Sequence, residues 1–187
     1  NNGTPVSFVG AVTWGSATTG VSGPVSASNS LVGAAATDEV GSGGITALSN
    51  GNYVVSSYQW NNTGGSGANG AGAVTWANGD GSTVGAVTAS NSLVGTTAND
   101  HVGIGGVTEV TDSTHTFDNY VVSSSSWHNG GVSGAGAVTW VDGSNGHIFG
   151  TTVTGAAVST SNSLYGSSTN DSVGVGVTAL SINGNYV

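Results

Sequence analysis

Gly72-Ala73-Val74-Thr75-Trp76 decides the fold, because the same five residues stand at Gly10–Trp14 and again at Gly136–Trp140. Outward from each copy, Ser-Asn-Ser-Leu follows at Ser28–Leu31, Ser90–Leu93 and Ser161–Leu164. Asn-Tyr-Val-Val stands at Asn52–Val55 and Asn119–Val122, and begins again at Asn185-Tyr186-Val187. A fourth block, Val-Gly followed by Val/Ile-Thr, occupies Val40–Thr46, Val102–Thr108 and Val173–Thr178. Four blocks in one order make a tandem repeat with a period of about 62–71 residues, its length variation confined to Gly/Asn/Asp/Ser stretches. Taken from the first residue, the repeats divide as 1–55, 56–122 and 123–187. The phase, opening at Asn1-Asn2-Gly3 and ending at Tyr186-Val187 with no atypical capping unit, leads us to expect a window on a continuing array.

Within a repeat the pattern is all β. Ala73–Trp76 and Tyr53–Ser57 are short and rich in β-branched and aromatic residues, with Gly, Asn and Asp clusters between such runs. Apolar residues do not recur at three- and four-residue spacing for long, and glycine interrupts everywhere, so no helix is expected. Four strands are expected per repeat: Gly-Val-Thr-Ala-Leu, Asn-Tyr-Val-Val-Ser-Ser, Gly-Ala-Val-Thr-Trp, and a stretch ending in Ser-Asn-Ser-Leu. Val74 and Trp76 then fall on one face, Ala73 and Thr75 on the other, which lets small residues meet large ones between stacked sheets. A four-stranded unit of this length is the size of a propeller blade. The expected architecture is three tandem four-stranded antiparallel blade-like sheets, closed with further repeats or stacked openly. The alternative is a β-solenoid, whose coils are ordinarily shorter, about 20–30 residues.

Composition removes whole classes of function. The 187 residues include 34 Gly and no Cys, Met, Lys or Arg, and the formal charge is −9. Nucleic-acid binding needs cations to displace phosphate counterions, and none exist here. Attraction to anionic membrane surfaces fails for the same reason, and no apolar stretch is long enough to insert into a bilayer as a helix. Hydroxyls and amides must solvate the surface, and trypsin has nothing to cut.

The run Ser92–Val107 resembles the linker and first strand of FG-GAP repeats, the blades of integrin-α-type propellers. Asn50–Ser57 resembles that family's following turn and Val-Val strand, and Gly72–Trp76 is similar to its Gly-Ala-Val strand. The combined pattern is closer still to tandem repeats of very large bacterial surface proteins. The resemblance covers all three repeats and implies propeller-type sheets and a cell-surface setting. It would also bring calcium to the turn before the Val-Val strand. Here that turn reads Ser49-Asn50-Gly51-Asn52, and Ile182-Asn183-Gly184-Asn185 in another copy, without a carboxylate. Calcium needs several carboxylate oxygens, so the site is not carried over and no cofactor is expected. Asp112 and Asp118 flank an insertion in the middle copy alone.

Asp38, Asp100 and Asp171 precede Val-Gly at equivalent places, as cation ligands or as Asx-type turns entering a strand, the reading we adopt. His101, His115, His128 and His147 share no repeat position and no metal-ligand spacing. No nucleophile motif sits in a strand-to-helix setting, so an enzyme is not expected. Trp14, Trp76 and Trp140 form one aromatic series and Trp60 with Trp127 a second, either as sugar-stacking platforms or as the large pieces of a Val/Ala interface. Packing is the reading we adopt, with Leu31, Leu93, Leu164, Tyr53, Tyr120 and Tyr186 as further structural repeat positions. The expected function is a structural or adhesive segment of a large extracellular or cell-surface protein. Its partners would be neighbouring copies or further repeats of itself. The alternative is a lectin-like module that binds surface glycans or calcium.

Overall fold

The computed structural model describes residues 6–114, 118–180 and 183–187; His115, Ile182 and the Asn1–Thr4 stretch lie outside them. Among the described residues all regular structure is β. The first sheet holds β1 (Ala11–Thr13), β2 (Ser30–Val32) and β6 (Gly85–Ala86). The second holds β3 (Ile45–Ala47), β4 (Tyr53–Ser57), β5 (Ala73–Ala77), β7 (Leu93–Val94) and β11 (Ala156–Ala157). The third holds β8 (Gly106–Thr111), β9 (Asp118–Ser124), β10 (Ala137–Val141) and β12 (Ser163–Tyr165), and the fourth β13 (Ala179–Leu180) and β14 (Asn185–Tyr186).

The core of each complete unit is an antiparallel meander of four strands, ordered β3-β4-β5-β7 in the second sheet and β8-β9-β10-β12 in the third. Two sheets, not three, reach that complement among the described residues; the first and fourth contain two antiparallel strands each. A period has no privileged phase, and the 55/56 and 122/123 borders fall inside β4 and β9, so each meander straddles one.

The strands follow their side chains. In β4, Tyr53 and Val55 turn to one face and Val54 to the other; in β5, Ala73, Thr75 and Ala77 share the first face, Val74 and Trp76 the second. The face carrying Tyr53, Val55, Ala73, Ala77 and Val94 packs on Val12, Leu31 and Val40 of the preceding repeat. The opposite face, carrying Val54, Val74 and Leu93, packs on Tyr120, Val122, Ala137 and Val141 of the following sheet. The meander of the second sheet is therefore buried on both faces, large side chains against small ones. Each buried Val or Leu contributes about 1.5–3 kcal/mol, and these contacts lie mostly between sheets rather than within one.

Two features depart from the sequence reading. Ser-Asn-Ser-Leu does not end a strand; it is a turn that opens one. Asn91 Oδ1 accepts from Thr88 N at 2.8 Å and Ser92 Oγ at 2.9 Å, while its Nδ2 donates to Ala86 O at 2.9 Å. Asn29 and Asn162 make the same three bonds. Second, the sheets are not purely antiparallel. β6 adds to β2 in parallel, with Leu31 opposite Gly85 and Val32 opposite Ala86. β11 adds to β7 in the same register, Leu93 opposite Ala156 and Val94 opposite Ala157. Every such strand is lent by the next repeat to the sheet before it. Two residues of Gly-Ala or Ala-Ala carry no strand signal of their own, so only the neighbour's edge makes them one.

The leading glycine of Gly-Ala-Val-Thr-Trp marks a close backbone approach. A Cβ on Gly72 would stand 2.2 Å from Val102 N, and one on Gly10 2.2 Å from Val40 N. The Val-Gly block thus lies directly against the start of the strand, Val102 N donating to Ala71 O at 3.0 Å.

Candidate functional site

The recurring polar residues converge on the seams between sheets. Asp100 is fully buried, and its Oδ2 accepts from Thr96 N at 2.9 Å and Thr97 N at 2.8 Å. Its Oδ1 accepts from His128 N at 3.0 Å and lies 2.9 Å from His128 Nδ1. Asp38 is buried in the same way: Oδ2 accepts from Ala34 N and Ala35 N, and Oδ1 from Asn61 N at 3.1 Å and Asn61 Nδ2 at 3.0 Å. Asp171, exposed, makes the first half of this set with Ser167 N and Ser168 N. One carboxylate oxygen therefore closes its own turn, and the other holds the residue just after Trp60 or Trp127. All three aspartates turn the chain, and among the described residues no three His, Asp or Glu side chains group to hold a metal ion.

These turns are strained. The residues on either side of each aspartate have positive φ: Thr37 63° and Glu39 46°, Asn99 62° and His101 45°, Asn170 62° and Ser172 52°. That left-handed conformation costs non-glycine residues roughly 1–2 kcal/mol each, and the aspartate's bonds hold it.

At the turn where the resemblance would bring calcium, the side chains are donors instead. Asn50 Nδ2 and Asn52 Nδ2 each donate to Gly143 O at 3.0 Å, and Trp76 Nε1 donates to the same oxygen at 2.9 Å. Three amide or indole hydrogens meet one carbonyl of the next repeat, which leaves that turn gripping a neighbour rather than a cation. Asn50 also caps its own hairpin, its Oδ1 accepting from Asn52 N at 3.0 Å.

The aromatic series pack. Trp60 and Trp127 are buried in the seams before and after the second sheet. The Trp14 ring lies against Gly81 and the Trp76 ring against Gly146, where a Cβ would come within 2.7 Å and 2.8 Å of ring or Cβ atoms. Trp140 instead meets Phe149 edge-on, centroids 6.3 Å apart. Leu31 and Leu93 are buried and Leu164 is exposed. Tyr53, Tyr120 and Tyr186 occupy one position in three successive seams. Burial, with Asp142 adding, pushes the Tyr120 hydroxyl far above its ordinary range.

Buried polar contacts between strands are satisfied in chains. Thr75 Oγ1 lies 2.7 Å from Ser92 Oγ, which donates to Asn91 Oδ1, so the threonine donates to the serine. Thr13–Ser30 and Thr139–Ser163 repeat the pair at 2.7 Å. Among the described residues no buried side-chain nitrogen or oxygen lacks a partner. Sequence reasoning missed the positions of Asn61 and His128; the signal available was a polar residue directly after each Trp of the second series.

His101 and Asp142 are shifted as well. Burial lowers His101, against the pull of Asp100, and His128 lowers it further. Burial opposes ionisation of Asp142, but hydrogen bonds from Ser144 and Asn145 outweigh it and keep the carboxyl below its ordinary range.

The chain belongs to the family described as "Repeat of unknown function (DUF5650)", which matches it at residues 1–42, 47–104 and 116–175. No curated protein and no solved structure matches it. The second and third matches contain β4 to β7 and β9 to β12, so the family's unit begins after the first strand of each meander, with only Ala47 of β3 and none of β8 inside it.

Proposed function

We propose that this array of three repeats is a structural or adhesive segment of a large extracellular or cell-surface protein, extending as a stack of sheets. One observation carries the reading: the second sheet buries opposite faces on its two neighbours, with equivalent residues in the two seams, Leu31 and Leu93, Val40 and Val102, Tyr53 and Tyr120, Trp60 and Trp127. Such a unit has no use alone and gains stability only by having neighbours. The cation-free, hydroxyl-rich surface supports a setting exposed to proteases. The likeness to FG-GAP repeats in bacterial surface proteins supports the same setting, though here the calcium-bearing turn is replaced by Asn donors. A lectin-like role is disfavoured because the Trp14 and Trp76 rings lie on glycine backbone of the next repeat and Trp140 on Phe149.

Small-angle scattering of the three-repeat chain and of a tandem duplication tests this. A maximum dimension that roughly doubles while the cross-section stays constant is expected. A compact particle for the duplication would overturn the rod. Protease shaving of intact cells that express the parent protein should release these repeats; retention inside the cell would overturn the surface assignment.

A further inference from the structure

Asparagine followed by glycine is the dipeptide most prone to lose its side-chain amide, because no side chain shields the glycine nitrogen from the asparagine Cγ. Five such pairs lie within residues 6–114 and 118–180: Asn50-Gly51, Asn69-Gly70, Asn78-Gly79, Asn129-Gly130 and Asn145-Gly146. In four of them the glycine nitrogen is already engaged. Gly51 N donates to Leu48 O at 2.9 Å and Gly146 N to Asp142 O at 2.7 Å. Gly70 N donates to Asn61 Oδ1 at 3.0 Å and Gly79 N to Asn52 Oδ1 at 3.1 Å. Among the described residues Gly130 N alone of the five has no acceptor. Its turn explains why. Asn129 N donates to Val132 O at 3.1 Å and Val132 N to Asn129 O at 3.0 Å, so Gly130 and Gly131 are the central residues of a hairpin loop. The nitrogen of the first central residue takes no part in such a loop's bonds. Gly130 has φ 60°, and a Cβ on Gly130 or Gly131 would meet nothing within 4 Å, so the turn stands open to solvent. The equivalent loop of the preceding repeat, closed by Asn62 and Ala68, has repeats on both sides and is open in the same way at Gly64 and Gly67.

We propose that Asn129 is a site of spontaneous covalent modification, the first of these five amides to convert while the protein remains folded. Gly130 N gives up its proton to a solvent base and bonds to Asn129 Cγ. The Cγ–Nδ2 bond breaks and ammonia leaves, closing a succinimide ring. Water then opens the ring, at Cγ to give aspartate or at the backbone carbonyl to give isoaspartate. In sum one water is consumed and one ammonia released. The consequence falls on the surrounding contacts. Asn129 Nδ2 donates to Gly166 O at 3.3 Å, as Asn62 Nδ2 donates to Gly95 O at 2.9 Å. A carboxylate in that place has no hydrogen to give. Isoaspartate also adds a methylene to the backbone inside the loop that Asn129 and Val132 close. The new charge stands one residue from His128, whose N and ring meet the buried Asp100 carboxylate between the second and third sheets. The preceding repeat escapes, since Asn62 is 3% exposed and is followed by Thr63, whose N donates to Asn61 O at 2.9 Å. This chemistry is independent of the stacked-rod reading.

Mass spectrometry of the whole chain, aged in mildly alkaline buffer and then digested with pepsin in acid, tests this. A gain of about 1 Da, the difference between an amide and an acid, should appear first in the peptide that contains Asn129. That peptide should resolve into aspartate and isoaspartate forms. The other four pairs should lag it by roughly tenfold or more while the chain is folded. In urea, where every glycine nitrogen is released, the five should react at comparable rates. Asn129→Gln should abolish the early gain in this peptide and leave the slow pairs as they were. Asn129→Asp should lower the urea midpoint, as should ageing of the wild-type chain; circular dichroism checks that both variants fold. Equal rates at the five pairs in the folded chain, an earlier gain at any of the other four, or an early gain that persists in Asn129→Gln would each overturn the proposal. An aged chain that keeps the fresh midpoint would sink the effect on the surrounding contacts.

Discussion

Asp100 is the residue on which most local order converges, since four donors meet one buried carboxylate. Asp100→Ala should destabilise the chain by about 3 kcal/mol, because it orphans buried backbone donors and relaxes a left-handed turn. His128→Asn should cost less than about 1 kcal/mol, since Asn61 already performs that role against Asp38. Urea midpoints of the two variants check the contrast. Thr37 is β-branched at φ 63°, where the other repeats place Asn99 and Asn170. Thr37→Asn should therefore stabilise by roughly 0.5–1 kcal/mol, read from the same titration. The aspartates were legible as turn formers because they recur before Val-Gly. Their second oxygen was not, since the partner lies 23 to 28 residues away and is Asn in one repeat and His in the next. Acidification gives a further readout. Burial keeps His101 neutral below its ordinary 6.5, so the unfolded chain binds the extra proton first. Stability falls as pH drops below about 6.5 and levels once the folded imidazole is protonated. Asp142, depressed below 3.8, adds a loss with the same sign in the acid range. Thermal midpoints should fall in two stages between pH 8 and pH 3, and a rise on acidification would contradict both.

At the scale of elements, strand position was readable wherever β-branched and aromatic residues cluster, as in Tyr53–Ser57 and Ala73–Ala77, and so was the division of Val74 and Trp76 from Ala73 and Thr75. β6 and β11 were not readable, because Gly85-Ala86 and Ala156-Ala157 have no propensity and are strands only by virtue of a neighbour's edge. The same lesson applies to Leu93 and Leu164, identical in sequence context and opposite in exposure. Leu93→Ala should cost about 3 kcal/mol in transfer and cavity terms. Leu164→Ala should cost under about 0.5 kcal/mol in the isolated chain, as surface substitutions do. Chemical denaturation of dilute protein separates the two.

For the molecule as a whole, tandem repetition was visible from block order and the all-β class from short β-branched runs broken by glycine, and the direction of stacking was not, because nothing in a single repeat says which face meets the previous one. Lys and Arg are absent, and the seams rest on burial and on hydrogen bonds to amides, hydroxyls and the buried Asp38 and Asp100 carboxylates rather than on exposed ion pairs. The denaturation midpoint should accordingly shift little between about 0.05 and 0.5 M sodium chloride, over which exposed ion pairs would be screened. Seams that use one set of contacts carry a hereditary consequence. Recombination between two copies of the period removes or adds a whole sheet and leaves a junction chemically equivalent to those before it. The number of sheets can therefore change by whole periods without a new kind of joint.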